Sequence, residues 1–529
     1  MSRTGSSVVL IGFQDQGNLG LGYLASVLKR NDYNVLIIDV KTNSDDILQS
    51  IRRNEPILVG FSLIFQYYLS KFSFLASFLR ARGVNCHFTI GGHYPSLCYE
   101  ETLQQIPELD SVVLFEGEQT LLELVQCLSN KKTWHDVNGI AYHTNNESIT
   151  LNTLRPLVDD LNLLPFPYRP FTEKKVLGKS IQPMLATRGC PHNCAFCSIQ
   201  EYYQRAPGKR VRRRSPANVV EEMKQLYDER NAEIFLFQDD DFPIIGKAGR
   251  RWIYNFIDEL DRNELIGKII WKISCRADEI DASLFSLMRD AGLYLVYLGL
   301  ESGAESGLVE LNKRVKVSDN LRAVEILKSI DLMYGYGFMM FEPNSTFNSI
   351  RENAEFLRKI VGDGSAGVIY CKMLPYAGTP IEQSLKLTGR LRGTLSQPDY
   401  DFLDKKLNLY YKNLNELLGS WVTGPDAISN YLNMLWHEVA VLQHLFPEVR
   451  GLKEYVVSLQ DITKKINNKI IMIILSSSTS YEKQDFLNEK GDEMQREGRE
   501  VIDELLDRRN MFIYYNKETL ISSLSSHAA

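Results

Sequence analysis

The run Arg188-Gly189-Cys190-Pro191-His192-Asn193-Cys194-Ala195-Phe196-Cys197 decides how the rest of the sequence is interpreted. Its cysteines are spaced Cys-x3-Cys-x2-Cys, so one tight loop can bring three thiolates to a [4Fe–4S] cluster and leave the fourth iron without a protein ligand. A zinc site would need a fourth tetrahedral ligand, and His192 lies between two of the cysteines, where it is badly placed to supply one. The spacing therefore predicts that Cys190, Cys194 and Cys197 bind an iron–sulfur cluster whose open iron can take a substrate or cofactor.

Strands and helices alternate around this run and as far as residue 380. The predicted strands cover residues 184–187, 233–237, 269–274, 295–299, 336–340 and 367–373. Polar residues follow the strand ends, namely Gln238, Asp239, Asp240, Arg276 and Glu301. Because active sites of βα barrels form at the carboxyl ends of the strands, we predict a partial (β/α)6 barrel with these residues at one rim. The residue types also leave open a solvated loop or a hard-cation site at 239–241, and an ion pair between Glu301 and Arg276.

The first 130 residues show the same alternation, with predicted strands at 8–13, 35–40, 57–62, 87–90 and 112–115. This pattern is typical of a doubly wound parallel sheet, whose ligands bind beyond the carboxyl ends of the strands. Small or polar residues stand at those ends: Asp15, Gly17, Gly20, Ser62, Gly91, Gly92, His93, Glu116 and Gly117. Glycines there let a backbone approach a bulky ligand closely. The residues also allow a Rossmann-like domain whose glycines serve only in turns, with His93 as a loop or phosphate-contact residue.

Composition excludes several classes of protein. The chain has 529 residues, 44% of them hydrophobic and 24% charged, and a net charge of −6. The negative charge argues against a nucleic-acid or membrane-surface binder, and no apolar run approaches the ~20 residues of a membrane span. Eight cysteines are too few for a disulfide framework. We therefore expect a reduced, cytoplasmic protein.

Four regions are predicted along the chain. Residues 1–135 form the first domain, 136–180 a linker, 181–380 the partial barrel and 381–529 a mostly helical region. The linker contains the proline-rich stretch Leu164-Pro165-Phe166-Pro167-Tyr168-Arg169-Pro170, which is extended and cannot be helical. The basic run 209–214 is either a solvated loop or a clamp for phosphate or substrate.

The cysteine run resembles the motif of the radical S-adenosylmethionine (SAM) enzymes, including the aromatic Phe196 before the last cysteine. The resemblance implies that the open iron binds SAM, whose cleavage gives a 5′-deoxyadenosyl radical. It also implies SAM contacts from Phe196, Gln238, Asp239, Asp240, Arg276 and Glu301. The sequence Gly299-Leu300-Glu301-Ser302-Gly303, together with Lys313, resembles the subgroup that carries a cobalamin domain. One departure is Phe341-Glu342-Pro343-Asn344-Ser345-Thr346, where the superfamily often has Gly-x-Pro-Gly-Glu-Thr.

The first domain resembles the cobalamin-binding domains. Asp15, Gly17 and Gly20 stand at the spacing of that family's Asp-x-His-x-x-Gly pattern, with glycine in place of the histidine that binds cobalt from below. The resemblance implies that cobalamin binds without this axial ligand. It also makes the residues at the other strand ends candidate cobalamin contacts: Ser62, Gly91, Gly92, His93, Glu116 and Gly117.

Together these resemblances imply methylation of an unactivated carbon of a natural product or other small molecule, through the deoxyadenosyl radical and methylcobalamin. A small-molecule or peptide substrate and a flavodoxin- or ferredoxin-type reductant are the expected partners. Three alternatives remain at this point: a cyclisation or rearrangement without methyl transfer, a cobalamin-independent radical enzyme with a vestigial first domain, and a non-catalytic iron–sulfur and cobalamin sensor.

Overall fold

The computed structural model describes residues 6–14, 17–144, 148–171, 174–480 and 485–525. Its strands, in chain order, are β1 Ser7–Gly12, β2 Asn34–Asp39, β3 Leu58–Ser62, β4 His87–Gly91, β5 Ser111–Val113, β6 Ile140–His143, β7 Ile149–Leu151, β8 Lys174–Val176, β9 Lys179–Met184, β10 Thr187–Arg188, β11 Arg212–Arg213, β12 Ala232–Phe237, β13 Ile270–Arg276, β14 Leu293–Glu301, β15 Met333–Phe341, β16 Cys371–Lys372, β17 Leu391–Gly393 and β18 Pro398–Tyr400.

The helices, in the same order, are α1 Leu19–Arg30, α2 Ser44–Asn54, α3 Leu69–Ala81, α4 His93–Leu97, α5 Tyr99–Gln105, α6 Glu118–Ser129, α7 Ser198–Arg205, α8 Pro216–Arg230, α9 Gly246–Arg262, α10 Ala282–Asp290, α11 Glu305–Glu310, α12 Val317–Ser329, α13 Phe347–Val361, α14 Pro380–Leu387, α15 Lys406–Leu418, α16 Ile428–Leu445, α17 Leu452–Thr479, α18 Asp485–Tyr515 and α19 Lys517–Ser525. Among the described residues, no helix is both long and apolar enough to cross a membrane.

Two compact units interleave along the chain. Unit 1 consists of Met1–Thr172, Thr187–Asn218 and Leu374–Tyr400, and unit 2 of Glu173–Ala186, Val219–Met373 and Asp401–Ala529. The four regional boundaries given above stay a prediction.

Unit 1 is built on a seven-stranded sheet of order β2-β1-β3-β4-β5-β6-β7. Its first five strands are parallel, and the hairpin β6–β7 continues the sheet antiparallel beyond β5. Alternate residues of β1 enter different cores: Val8 and Leu10 pack on one face, Val9 and Ile11 on the other. From β1 the chain continues to β2 on one side, whereas β3, β4 and β5 follow on the other side. Where the strand order reverses in this way, between β1 and β3, a ligand-binding crevice forms at the carboxyl ends of the strands.

Unit 2 contains a sheet of order β16-β15-β14-β13-β12-β9-β8. Six strands of this sheet, β9 and β12 to β16, are parallel and lie side by side in chain order, and β8 is antiparallel to β9. This is the predicted partial (β/α)6 barrel, although β16 is only two residues long. Strands β10 and β11 form a separate two-stranded sheet. Trp271 and Ile273 of β13 are fully buried, on the face that the helices cover.

Helices α15–α19 confirm the mostly helical C-terminal region. Helix α16 packs against the sheet of unit 2: its Ala440, Val441 and Leu442 share a buried cluster with Ile270 and Tyr294. Helix α17 packs against α13, and its Asn467 accepts a hydrogen bond from the Val368 N–H (2.9 Å) while it donates to the Val361 and Ala366 carbonyls (2.6 and 2.8 Å).

Candidate functional site

The three predicted cluster cysteines lie on one loop of unit 1. This loop leads from β10 into α7, and the chain then returns to β11, which pairs antiparallel with β10, Thr187 lying opposite Arg213 and Arg188 opposite Arg212. The Cys197 N–H donates to the Cys194 carbonyl (3.3 Å), so the last two cysteines share a tight turn. Cys197 is also the N-cap residue of α7, where the unsatisfied N–H groups of the helix favour a thiolate. These donors fit an iron–sulfur cluster.

Arg210 contacts the cysteine loop through its backbone and through its side chain. Gly189 has a φ of +85°, and a Cβ atom there would lie 2.0 Å from the Arg210 carbonyl oxygen, so only glycine fits. The Arg210 guanidinium donates to the Pro191 carbonyl (2.8 Å) and to Asn193 Oδ1 (3.1 Å). Part of the basic run 209–214 therefore shapes the cysteine loop.

The eight cysteines, all within the described residues, form no disulfide. Cys194 is buried, whereas Cys190 and Cys197 are partly exposed. Phe196, between Cys194 and Cys197, is also partly exposed. Outside this loop the described cysteines are scattered, which leaves these three as the candidate cluster ligands.

A buried frame of four charged residues supports the base of the cysteine loop; we call Glu116, Glu118, Arg188 and Arg212 the ion-pair frame. Arg188 pairs with Glu116 (3.2 Å) and Glu118 (2.6 Å), and Arg212 pairs with Glu116 (2.8 Å). The Val158 N–H also donates to Glu116 (2.7 Å). Burial alone would raise the pKa of Glu116, but the two arginines outweigh it and the pKa lies below its ordinary value.

Three predicted cobalamin contacts lie at the carboxyl edge of the sheet of unit 1. Ser62 is in register with Gly12 on one side and Gly91 on the other, which places small residues in a row across β1, β3 and β4. Gly92 has a φ of +112°, and a Cβ atom there would lie 2.4 Å from the Leu63 carbonyl oxygen. Because these residues have small side chains or none, the backbone at this edge stays uncovered. A large flat ligand could therefore lie directly against it.

Most of the other predicted cobalamin contacts lie in turns, at the starts of helices and in an aromatic contact. Gly17 occupies a turn with a φ of +69°, and its N–H donates to the Gln14 carbonyl (3.0 Å); Gly20 lies in the first turn of α1 and Gly117 is the N-cap of α6. Asp15 lies outside the described residues. The His93 ring is 4.5 Å from the Tyr202 ring, and burial lowers the pKa of His93 to about 4, so the imidazole is neutral at physiological pH.

In unit 2 the predicted SAM contacts follow the carboxyl ends of β12, β13 and β14. Both carboxylate oxygens of the buried Asp239 accept from the Ala186 N–H (3.0 and 3.2 Å), whereas Asp240 is exposed and Gln238 partly exposed. The next residue, Asp241, is buried, and burial together with Glu279 raises its pKa to about 9. Asp239 and Asp241 are therefore not part of a solvated loop.

Arg276 and Glu301 do not pair with each other, so the ion-pair alternative considered above is wrong. Arg276 forms a two-pronged pair with Asp278 (3.0 and 3.2 Å), and Glu301 pairs with Lys313 (3.1 Å). A Cβ atom at Gly299 would lie 2.7 Å from Lys313 Nζ and 2.8 Å from Glu301 Oε1. The glycine in Gly299-Leu300-Glu301 thus makes room for this pair.

Sequence reasoning named Glu116 but missed the ion-pair frame to which it belongs. It gave no role to Lys272 and Tyr297, which are polar residues within strands, and it quoted Glu342 only as part of a departure from the family motif. The partners of the frame are up to 96 residues apart, so no local pattern indicates them. For Lys272 a signal existed, because Lys272 and Ser274 alternate with apolar residues inside a strand.

Two family models match the chain: the B12 binding domain over residues 8–125 and the Radical SAM superfamily over residues 184–357. Together the matches cover more than half of the chain. The chain is a cobalamin-binding radical SAM enzyme. Its fold class, its enzymatic character and its cofactors (a [4Fe–4S] cluster, SAM and cobalamin) are therefore those expected from the sequence.

Relatives of this cobalamin-binding radical SAM enzyme include an uncharacterized methyltransferase of Pyrococcus horikoshii, 27% identical over 74% of this chain and 83% of the relative. An anaerobic magnesium-protoporphyrin IX monomethyl ester cyclase of Rubrivivax gelatinosus is 28% identical over 82% of this chain and 76% of its own. Among solved structures, the cobalamin-dependent SAM radical enzyme OxsB with aqua-cobalamin bound has the same fold, with a TM-score of 0.67 at 17% identity, covering 99% of this chain and 84% of OxsB.

Proposed function

We propose that this enzyme methylates an unactivated carbon of a natural product or other small molecule. The observation that carries the proposal is that one chain combines a cobalamin-binding domain with a radical SAM domain whose three cysteines share a single loop. The relative of Pyrococcus horikoshii, named a methyltransferase, supports methyl transfer as the outcome. When bound, the cluster with SAM supplies a carbon-centred radical, and cobalamin supplies the methyl group.

In this proposal Cys190, Cys194 and Cys197 bind three irons of the cluster. The turn between Cys194 and Cys197 and the start of α7 just after Cys197 fix the backbone of two of these cysteines. Arg210 holds the loop between the first two cysteines through Pro191 and Asn193. Such preorganisation lowers the entropic cost of assembling the site.

The proposed SAM contacts are also held in place by neighbours. Asp239 is oriented by the Ala186 N–H, Arg276 by Asp278 and Glu301 by Lys313. We assign the SAM amino group to Gln238, Asp239 and Asp240, and its ribose and carboxylate to Arg276 and Glu301. Phe196 completes the set beside the cysteines.

For cobalamin we propose Ser62, Gly91 and Gly92 as backbone or hydroxyl contacts at the sheet edge. A neutral His93 can donate one hydrogen bond and accept another, which suits an amide or phosphate group of the cofactor. Gly17 has no side chain to coordinate cobalt. Asp15, Gly20, Glu116 and Gly117 remain candidates, and the Glu116 carboxylate already has three protein partners.

The proposal includes an external one-electron donor of the flavodoxin or ferredoxin type and a small-molecule or peptide substrate. It also assigns the enzyme to the reducing cytoplasm, because its cysteines are thiols and an iron–sulfur cluster with an open iron needs such an environment.

Anaerobic reconstitution with iron, sulfide and cobalamin tests the proposal. We expect 5′-deoxyadenosine and a methylated product from the wild-type enzyme. Cys194→Ala is expected to lose iron and deoxyadenosine formation but to keep the cobalamin spectrum, and Cys127→Ala, in α6 away from the cysteine loop, should keep all three. Zinc in the wild-type protein, or full iron in Cys194→Ala, would contradict the cluster assignment.

A second candidate function is a cyclisation or rearrangement without methyl transfer, which the relative of Rubrivivax gelatinosus favours. SAM with a deuterated methyl group separates the two functions. Methyl transfer places the label in the product, whereas a cyclisation gives a product that lacks it.

A further inference from the structure

One face of the sheet in unit 2 carries a polar group that the cofactor assignments leave unused. Along β13, Trp271 and Ile273 point toward the covering helices, so Lys272 and Ser274 lie on the opposite, concave face. Ser274 is in register with Tyr297 of β14, which is in register with Gly335 of β15. Lys272, Ser274 and Tyr297 therefore share one face of adjacent strands.

Tyr297 is 41% exposed, although β14 lies between β13 and β15 in the sheet. Its side chain rests on the backbone of β15, because a Cβ atom at Gly335 would lie 3.3 Å from the ring and one at Gly337 would lie 3.3 Å from the hydroxyl oxygen. The Tyr297 hydroxyl has no hydrogen-bond partner among the described residues. The concave face is thus open at a place where a closed core would bury the ring.

The Lys272 ammonium donates to Ser274 Oγ (3.0 Å) and lies 5.4 Å from the centre of the Tyr297 ring. Among the described residues, no carboxylate oxygen lies within 4.0 Å of it. Two other buried lysines of unit 2 are paired: Lys179 with Glu233 (2.9 Å) and Lys313 with Glu301 (3.1 Å). The Asp239 carboxylate attracts the ammonium from beyond 4.0 Å, but burial outweighs this attraction and lowers the pKa of Lys272 below its ordinary value. A bound anion in direct contact would offset that burial cost.

The depth of Lys272 separates it from Arg276 and Glu301 among the proposed SAM contacts, whereas the Asp239 carboxylate is near enough to raise its pKa. It precedes Arg276 by four residues, about 13 Å along a strand. Its neighbours in register are Leu236 and Leu295, which pack against the cluster formed by α16. Lys272 therefore lies near apolar side chains in the middle of the sheet, whereas Arg276 and Glu301 lie at the carboxyl ends of their strands.

We propose that Lys272, Ser274 and Tyr297 bind an anionic group, carboxylate or phosphate, of the substrate. The Lys272 charge and the two hydroxyls bind the anion, and the Tyr297 ring lies against an unsaturated or ring portion next to it. The carbon skeleton then extends toward the strand ends. This inference rests on the proposed function, since it names the substrate class of that enzyme.

The test measures the reactivity of Lys272 toward an amine-acylating reagent, residue by residue, by peptide mass spectrometry of the reconstituted full-length enzyme. Benzoate and phenyl phosphate serve as anionic probes and benzamide as the neutral one. We expect both anions, but not benzamide, to slow labelling of Lys272. Lys268, four residues earlier, exposed and paired with Glu264, is the internal control and should be unaffected. In calorimetry, anion affinity should fall about 10- to 100-fold in Lys272→Met and only a few-fold in Lys272→Arg.

Three results would overturn the inference: equal protection by benzoate and benzamide, no protection by either anion, or protection of Lys272 by SAM alone. The last result would assign the lysine to SAM. Labelling requires no turnover, so these results are independent of deoxyadenosine formation. A wild-type enzyme that forms no deoxyadenosine would instead contradict the proposed function.

Discussion

Two buried glutamates, one in each unit, show how partners rather than burial decide the state of a carboxyl group. Glu116 of unit 1 and Glu342 of unit 2 both follow the carboxyl end of a strand, and both are almost inaccessible to solvent. Arg188 and Arg212 hold the pKa of Glu116 below its ordinary value. Burial raises the pKa of Glu342 to about 7, and among the described residues no lysine or arginine pairs with it.

The same contrast separates two lysines of unit 2. Lys313 pairs directly with Glu301 (3.1 Å), whereas Lys272 contacts the Ser274 hydroxyl and the face of the Tyr297 ring, and the Asp239 carboxylate acts on it from beyond 4.0 Å. Charges that pair within the protein form its framework. Charged groups left without a partner cost stability, and that cost is tolerated where a ligand completes the pair.

The largest effect is expected when the ion-pair frame is broken. Arg212→Met removes one of the two arginines that pair with Glu116, so the buried negative charge of this carboxylate is only partly balanced. We expect a loss of about 3–5 kcal/mol in the free energy of unfolding, seen as a lower midpoint of anaerobic thermal unfolding, together with lower iron content. Arg213→Met is the control, since this neighbour makes no ion pair among the described residues. Equal midpoints for the two variants would contradict a framework role.

Glu342 should make stability depend on pH. The unfolded carboxyl loses its proton near pH 4.5 and the folded one near pH 7. Between these values the folded state binds more protons, so the free energy of unfolding falls as pH rises, by up to about 3 kcal/mol, and the loss is complete above pH 7. Glu342→Gln removes this dependence and should be more stable than wild type at pH 8 but not at pH 4.5.

Thermal midpoints from pH 4.5 to 8 measure this difference. Glu355→Gln, an exposed glutamate of α13 paired with Arg358 (3.0 Å), is the control and should follow the wild-type curve. A difference between Glu342→Gln and wild type that stays constant over this range would show that Glu342 does not titrate in it.

The sequence predicts local features of this enzyme well and long-range pairing poorly. The strands β1–β4 lie within a residue or two of their predicted positions, because β-branched runs bounded by turns determine them locally. Cysteine spacing indicates the cluster loop for the same reason. The pairing of Glu301 with Lys313 rather than Arg276 depends on the bend of the chain after β14, where Glu301 has a φ of +63°, and no periodicity reports that bend.

A smaller effect separates the two lysines. Lys313→Met leaves Glu301 without its cation and should lower the free energy of unfolding by about 2 kcal/mol. Lys272→Met removes a partly buried ammonium with no direct ion pair among the described residues, so it should leave stability unchanged or raise it. Thermal unfolding without added anions measures both. If Lys272→Met were the more destabilising variant, Lys272 would belong to the framework and the contrast between the two lysines would fail.

The smallest effect concerns the hydroxyl of Tyr297. Tyr297→Phe keeps the ring on β15 and removes a hydroxyl that has no hydrogen-bond partner in the described part of the chain. Stability should therefore change by less than about 0.5 kcal/mol, while benzoate binding should weaken about 3- to 10-fold. Tyr336→Phe on the next strand is the matched control, because its hydroxyl donates to the Gly367 carbonyl (2.9 Å). That variant should lose about 1–2 kcal/mol of stability and no benzoate affinity. The two tyrosines thus show, with uncharged hydroxyl groups, the same contrast between a group that binds within the protein and a group that binds a ligand. A loss of stability in Tyr297→Phe would show that the Tyr297 hydroxyl stabilises the protein itself.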